Sequence, residues 1–480
     1  MSVKLADNLT RNINSSVGVK QGCVLSPTLF NIFLHDLPAI FDKECHPVIL
    51  NNTEISCLMY ADDIVILSQN SQGLQNAIDN LSRYCGTWNL KINLSKTKIV
   101  VFNKGGHLIK RFKFHLNQSQ IESVSSYRYL GIDFSCSGNF KIAIGTIKDK
   151  AMRALFKVKQ FDLRSNVKTA IVLFNSLVMP IIRYCSEIWA PYLFNKLNER
   201  NLKNICDGIL PEKVHIHFCK YILGLHKNAV NDGARAELGS YPLAINLLLH
   251  ALKYWSNFRK CDTKTLVYQS YLECHRLILK NQINWLGPIK QILNVNGFNE
   301  NWNNMGALNK NKFILQIEKV LKTQYEEQWS KNIQSNPTES KLRTYARFKK
   351  KFEPENYVFA IKNYEKRKYF SKLRVSAHDL HIETGRYKKP TKTPVSERIC
   401  HLCSSDEIED EYHVIIKCNH YSDLRTVMFD KMRGFTDIEL MNEDSLFIWI
   451  MNYNDGDSTI AKLVTDFVHN LFEKRKNFQS

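Results

Sequence analysis

No stretch of this 480-residue sequence stays apolar for long enough to span a bilayer. The two longest candidates, TAIVLFNSLVMPII and YPLAINLLLHAL, are short and are interrupted by Asn or Pro. The opening MSVKLADNLTRNINSS has no long apolar core, so no secretory signal is expected there. A fixed-period repeat and a low-complexity tract are also missing, which excludes a solenoid or a compositionally biased array. Acids are scarce, 46 Asp and Glu against 66 Lys and Arg, for a net charge of +20. Such an excess speaks about partners rather than fold, and the commonest partner is a nucleic-acid phosphate backbone. The thirteen cysteines are an odd number, mostly isolated in apolar segments, and read as reduced core thiols of an intracellular protein rather than a disulfide frame. Only 400–418 has a ligand-like spacing.

What is present supports a folded chain. With 44% hydrophobic and 11% aromatic residues the sequence can build sizeable cores, and its length calls for two to four domains. Residues 1–17 alternate weakly and allow one or two strands. GVKQGCVLSPTLFNIFLHDL is a glycine-bounded loop leading into a helix, with Ser26 as N-cap, Pro27 at the first helical position and Leu29, Phe30, Phe33, Leu34 and Leu37 on one face. A second helix spans about 72–88, with Leu74, Ala77, Ile78, Leu81, Tyr84 and Trp88 along one side. KINLSKTKIVVF returns to strand character, and SSYRYLGIDFS reads as a short strand containing a glycine. From about 140 onward the pattern is almost entirely helical.

SCLMYADDIVILSQ places adjacent carboxylates, Asp62 and Asp63, inside an apolar run. Cys57, Leu58 and Met59 precede them and Ile64, Val65, Ile66 and Leu67 follow, so the segment predicts a hairpin of buried strands with the aspartates at its tip. Two ionised carboxylates among buried strands require positive charge, and paired oxygens at a hairpin tip suit hard divalent cations. An exposed turn is the alternative reading of the same pair.

GVKQGCVLSPTLF, YADD, LKINLSKTK and YRYLGIDFS, taken in this order, resemble the B, C and D motifs and the primer-end strand of the reverse-transcriptase palm, with details of the non-LTR (LINE-type) retrotransposon branch. The resemblance implies an α+β fold: a partial polymerase palm over 1–137, an antiparallel sheet with helices, followed by a mostly helical remainder. That remainder divides into a thumb-like domain over 138–225, a helical connection over 226–335, a basic nucleic-acid-binding segment with a small zinc module over 336–430, and a helical tail over 431–480. It implies RNA-directed DNA polymerase activity through two Mg2+ ions, with an RNA template, a DNA primer and deoxynucleoside triphosphates as partners, and nuclear access for copying into chromosomal DNA. Position by position, Asp62 and Asp63 become magnesium ligands, Tyr60 and Ala61 lie by the primer end, and Gln21 and Gly22 face the incoming nucleotide. Lys96 is a candidate for stabilising the leaving pyrophosphate, or else a solvated surface lysine. The family's third aspartate and its fingers have no counterpart upstream of Gly18, where Asp7 is the one acid. The expectation is therefore a C-terminal portion of a larger polyprotein, weak or inactive alone. The alternative is a noncatalytic RNA- or DNA-binding retrotransposon remnant, or an unstable pseudogene product.

Near the C-terminus, CHLCSSDEIEDEYHVIIKC gives Cys400, Cys403, His413 and Cys418, a C-x2-C-x9-H-x4-C spacing that suits tetrahedral structural zinc. His401 and His420 are possible substitutes for His413, and the intervening loop is acidic. Upstream, residues 341–392 hold sixteen Lys and Arg against five acids, a net +11. Tyr345, Phe348, Tyr364 and Tyr369 interleave with these charges. That mixture suits single strands or structured RNA, and a helical face with its aromatics in a core is the alternative.

Overall fold

Short strands crowd the first third of the chain and helices the rest, as a change from period-2 to period-3.6 apolar spacing requires. The structure, a computed structural model, describes residues 4–5, 8–9, 11, 18–20, 22–195, 201–304, 309–335, 340–388, 390–452 and 458–479. The chain divides into two units, Met1–Ala143 with Asp262–Leu277, and Ile144–Cys261 with Ile278–Ser480. The fold is mixed α+β, with short sheets that are mostly antiparallel and a predominance of helix.

In the first unit a minimal antiparallel pair, β1 (Lys4–Leu5) and β2 (Asn8–Leu9), precedes α1 (Ser26–Phe33). Ser26 does not act as the expected N-cap. Leu25 occupies that place without a side-chain bond, and Ser26 Oγ donates instead to Lys20 O at 2.6 Å, tying the glycine loop to the helix start. The face of α1 also divides differently from its pattern: Leu34 and Leu37 are buried while Leu29 and Ile32 are exposed.

Two hairpins follow, β3 (Val48–Leu50) with β4 (Thr53–Ile55), and β5 (Cys57–Tyr60) with β6 (Asp63–Ile66). The first turns through Asn51 and Asn52, both at positive φ, a conformation asparagine adopts readily. Asn51 also reaches the returning segment of this unit, its Nδ2 donating to Gln269 Oε1 at 2.8 Å.

Next comes α2 (Ser71–Thr87), capped by Asn70, whose Oδ1 accepts from the Gly73 N–H at 2.8 Å. Two cores grip this helix. Ala77 and Tyr84 pack with Leu34, Leu37, Phe41 and Cys45, and Cys57, Ile64 and Ile66 of the aspartate hairpin rest on the same cluster. Ile78 joins Ile99, Phe114, Leu116 and Ile121. The second cluster covers a three-stranded sheet of order β7 (Lys98–Ile99), β9 (Ser119–Ser123), β8 (Phe114–Leu116), with β7 parallel to β9.

KINLSKTKIVVF forms much less strand than its composition suggests, only Lys98–Ile99. Asn93 is the reason: its Oδ1 accepts from the Ser95 N–H at 3.1 Å and the Lys96 N–H at 3.3 Å, folding the segment into a turn. SSYRYLGIDFS is a hairpin rather than one strand, β10 (Ser126–Tyr129) paired with β11 (Ile132–Ser135), turned through Leu130 and Gly131, both at positive φ.

The helix α3 (Lys141–Lys159) leads into the second unit. Here Leu243–Asn257 packs against Lys310–Gln334, and Tyr364–Arg374 packs against Ser458–Gln479. The thumb, connecting, basic and tail segments distinguished by sequence thus all contribute to one unit. Trp189, Trp255 and Trp329 are fully buried in it, and so are Arg235, Arg367 and Arg374. No single helix among the described residues is long and apolar enough to cross a membrane. One bent pair, Val167–Arg183 with Ser186–Phe194, meets the length and composition together.

Candidate polymerase and metal sites

The two-residue turn of the β5–β6 hairpin consists of Ala61 and Asp62, with Tyr60 paired to Asp63. Ala61 sits at φ 53°, a left-handed conformation that costs a side-chain-bearing residue roughly 1 kcal/mol. The turn therefore holds Asp62 and Asp63 side by side at the tip. The strands are not buried on both faces, as the sequence suggested. One face rests on the α2 cluster, but Leu58 and Met59 are each 36% exposed, Tyr60 is 65% exposed, and both aspartates are exposed. The physical reason is that Cys57, Ile64 and Ile66 pack on that cluster, while among the described residues no core cluster includes Leu58, Met59 or Tyr60. The aspartates therefore pay no desolvation penalty in this arrangement.

The β10–β11 hairpin lies near the tip. The hydroxyl of Tyr129 is pushed above its ordinary acidity range, first by burial and then by the negative charge of Asp63. Arg128 and Asp133 brace that hairpin through a two-pronged ion pair at 3.0 Å. The C-motif and YLGI segments, 66 positions apart at Asp63 and Tyr129, thus come together. Lys96 is exposed on the Asn93 turn, and Gly22 is exposed at φ 82° with open space around it. Among the described residues no hydrogen bond or ion pair joins either of them to the tip. Gln21 lies outside the described residues, as does Asp7.

The carboxylates of Asp62 and Asp63 are hard oxygen donors of the kind magnesium takes. Among the described residues no third His, Cys, Asp or Glu completes a metal-holding group with them. The pair fits the metal chemically but is an incomplete set.

The second cluster is complete. Cys400, Cys403, His413 and Cys418 offer ligand atoms that all lie within 4.8 Å of one another. Cys400 Sγ and Cys418 Sγ are 3.9 Å apart, and Cys403 Sγ and His413 Nε2 are 3.3 Å apart. Tetrahedral zinc bonds of about 2.0–2.3 Å set ligand atoms roughly 3.5–3.8 Å apart, so this arrangement can hold zinc. Glu407 Oε2 lies 2.9 Å from His413 Nδ1, and its other oxygen accepts from Lys417 Nζ at 3.0 Å. A carboxylate on the far nitrogen orients a metal-binding imidazole. His401 and His420 are not part of the group.

The acidic loop beside these ligands works inward. Glu409 pairs with Arg475. Glu411, fully buried, accepts from Arg343 Nη2 and Thr344 Oγ1, each at 2.8 Å, and its Oε1 lies 2.9 Å from His378 Nε2. These partners were not recognised in the sequence. The alternation Glu407, Glu409, Glu411 is the one signal that could have suggested them.

In the basic segment three of the four interleaved aromatics follow the alternative reading, a helical face with its rings in a core. Tyr345, Phe348 and Tyr369 do not present stacking faces to a strand: they are 0%, 1% and 8% exposed. Much of the positive charge is neutralised internally. Arg374 pairs with Glu237 and Glu355, Lys349 with Glu355, Arg343 with Glu383 and Glu411, and Arg386 with Glu383. Aromatics interleaved with cations at helical spacing serve a core as well as a nucleic acid, and here buried acids distant in sequence made the difference.

The chain thus carries adjacent carboxylates on a hairpin tip in its first unit and a Cys3His group able to hold a metal in its second. Residues 3–134 match the family model for reverse transcriptase (RNA-dependent DNA polymerase). A transposon-derived protein of Caenorhabditis elegans is 29% identical over 153 residues, 32% of this chain and 54% of its own length. The RNA-directed DNA polymerase from the mobile element jockey of Drosophila melanogaster is 26% identical over 196 residues, 38% of this chain and 20% of its own. The Pol polyprotein from the type-2 retrotransposable element R2DM of the same fly is 30% identical over 132 residues, 26% and 12%. Over this region the chain is similar to reverse transcriptases, and the relatives it matches there include proteins of non-LTR retrotransposons. It spans about half the length of the first relative and about a fifth of the second.

Proposed function

We propose that the chain serves RNA-directed DNA synthesis of the non-LTR retrotransposon type. The observation that carries this reading is the pair Asp62–Asp63 at the tip of a hairpin with a two-residue turn, within electrostatic reach of Tyr129 and inside the family-matched region. Magnesium bound by these carboxylates would acidify a primer 3′-hydroxyl and offset the charge of a triphosphate. The protein's own share is placement. Ala61 keeps the turn small so that a primer end can approach, Tyr60 offers an exposed ring beneath it, and Gly22, with Gln21, borders the nucleotide. Lys96 supplies a mobile positive charge for the departing pyrophosphate. The partners are an RNA template, a DNA primer and deoxynucleoside triphosphates, and the place of action is the nucleus. Zinc, held by Cys400, Cys403, His413 and Cys418, has a structural role.

A second reading, a noncatalytic nucleic-acid-binding remnant, is favoured by one observation: the carboxylate pair lacks a third ligand among the described residues. Two-metal catalysis depends on geometry, so two carboxylates of three should support little turnover. Primer extension on an RNA template with magnesium separates the readings. Weak incorporation that falls at least about 100-fold, to background, in Asp62→Asn supports the polymerase; RNA binding with no incorporation supports the remnant.

A further inference from the structure

Within the second unit, a cleft of about 450 Å³ opens between the end of α3, the helix Glu212–Leu223 and the helix Tyr364–Arg374. Its lining is rich in cations: Lys159, Lys213, His217, Lys220 and Lys227. Lys213, His217 and Lys220 follow one another at i, i+4 and i+7, so a single helix face presents them. Two acids also line the cleft, Asp207 and Glu212, but both are already engaged. Arg235 Nη1 donates to Asp207 at 2.7 Å and its Nη2 to Glu212 at 3.0 Å. Lys203 takes the other Asp207 oxygen at 2.8 Å, and the Leu243 N–H takes the other Glu212 oxygen at 2.8 Å.

The cations have no such compensation. Among the described residues no carboxylate forms an ion pair with Lys159, Lys213, Lys220 or Lys227. Lys220 is only 8% exposed, and its ammonium donates to the Lys227 carbonyl at 2.8 Å. Lys159 Nζ lies 3.1 Å from His217 Nε2 and over the ring of Tyr221. Burial, and then the neighbouring cations Arg235 and Lys341, bring Lys220 down to about 8. Burial and the charges of Lys159 and Lys220 lower His217 as well. Gathering unpaired ammonium groups around a half-enclosed space is unfavourable until an anion enters.

We propose that this cleft is a phosphoryl-binding site, taking the phosphate of a nucleic-acid backbone or of a free polyphosphate. It is separate from the Asp62 hairpin and stands whether or not that hairpin is catalytic. A phosphate presents the three or four acceptor oxygens that several ammonium donors can share, and burial of part of the pocket strengthens the attraction relative to open surface. Electrostatic capture of this kind is indifferent to base sequence.

Lysine acylation followed by mass spectrometry on the full chain tests it directly, with inorganic pyrophosphate and a 12-nucleotide single-stranded RNA as separate probes. Lys159, Lys213 and Lys227 should be protected about fivefold or more by at least one probe, while exposed Lys312 on Lys310–Gln334 stays reactive. Protection by RNA alone makes the nucleic-acid backbone the source, by pyrophosphate alone a free polyphosphate, and by both a common phosphoryl site. In a binding titration, Lys213→Glu with Lys227→Glu should weaken the protecting probe about tenfold, against no change in Lys312→Glu; both replaced side chains are exposed, so folding should survive. Equal labelling with and without either probe, or unchanged affinity in the double variant, overturns the proposal.

Discussion

Arg374 shows at the level of one residue how the basic segment is used. It is 1% exposed, and its Nε and Nη2 reach the two oxygens of the fully buried Glu237 at 2.8 and 3.0 Å. Removing one member of such a pair leaves a buried charge without compensation, which costs about 3–5 kcal/mol. Arg374→Ala should lower the unfolding free energy by about that amount in urea melts. An exposed neighbour, Lys362→Ala, should change it by less than about 0.5 kcal/mol. From sequence alone Arg374 and Lys362 are equivalent members of one charge run. Glu237 lies 137 positions upstream of Arg374, beyond the reach of any local pattern.

At the scale of elements, α2 carries a test of packing against propensity. Gly73 lies in its first turn, where alanine is intrinsically better by about 1 kcal/mol. A Cβ there would come within 2.5 Å of Cys45 O and 2.8 Å of the Cys45 carbonyl carbon, and backbone does not give way easily. Gly73→Ala should therefore destabilise the first unit, by about 1–3 kcal/mol in thermal or urea unfolding. The metal group makes a second test. Purified chain should contain one zinc per molecule by elemental analysis, and Cys403→Ala should lose it and melt several degrees lower, because a structural metal contributes its binding energy to folding. The helices and both of these features were largely legible: α2 falls within a residue of its expected span, and the four ligands stand at the expected spacing. The hairpin of β10 and β11 was read as one strand because its turn, Leu130–Gly131, has only half of the usual turn chemistry. Leucine at positive φ is a choice made by the surrounding structure.

Over the whole molecule, the balance of charge sets the response to acid. Glu411 is shifted well below the ordinary glutamate value of 4.5: burial alone would raise it, but Arg343, His378 and Ser376 outweigh that. Glu237 is lowered in the same way, chiefly by Arg374 against burial, and Asp207 chiefly by Arg235 against burial. Groups depressed in the folded state stabilise it fully above their unfolded values, and that stability is lost as pH falls through the folded ones. Asp410 works the other way, raised by burial and then by Glu411, so it costs stability at neutral pH. Among these buried carboxylates the depressed ones outweigh the raised one, which predicts a second unit that loses stability progressively once pH drops beneath 4.5, measurable by circular dichroism. Glu411→Gln should shift that acid midpoint upward, since the Arg343 pairing is weakened at every pH.

Motif order, the adjacent aspartates, the cysteine spacing and the net charge of +20 were all determined by the sequence alone, because each is written in neighbouring residues or in simple totals. Only the tertiary structure decided which cations remain free. It buried Arg374 against Glu237 and paired Arg343 with Glu383 and Glu411, left Lys159, Lys213 and Lys220 facing a cleft, and kept one face of the aspartate hairpin open. Electrostatic compensation depends on distances through space, and residues 40 to 137 positions apart acquire those distances only when the chain folds.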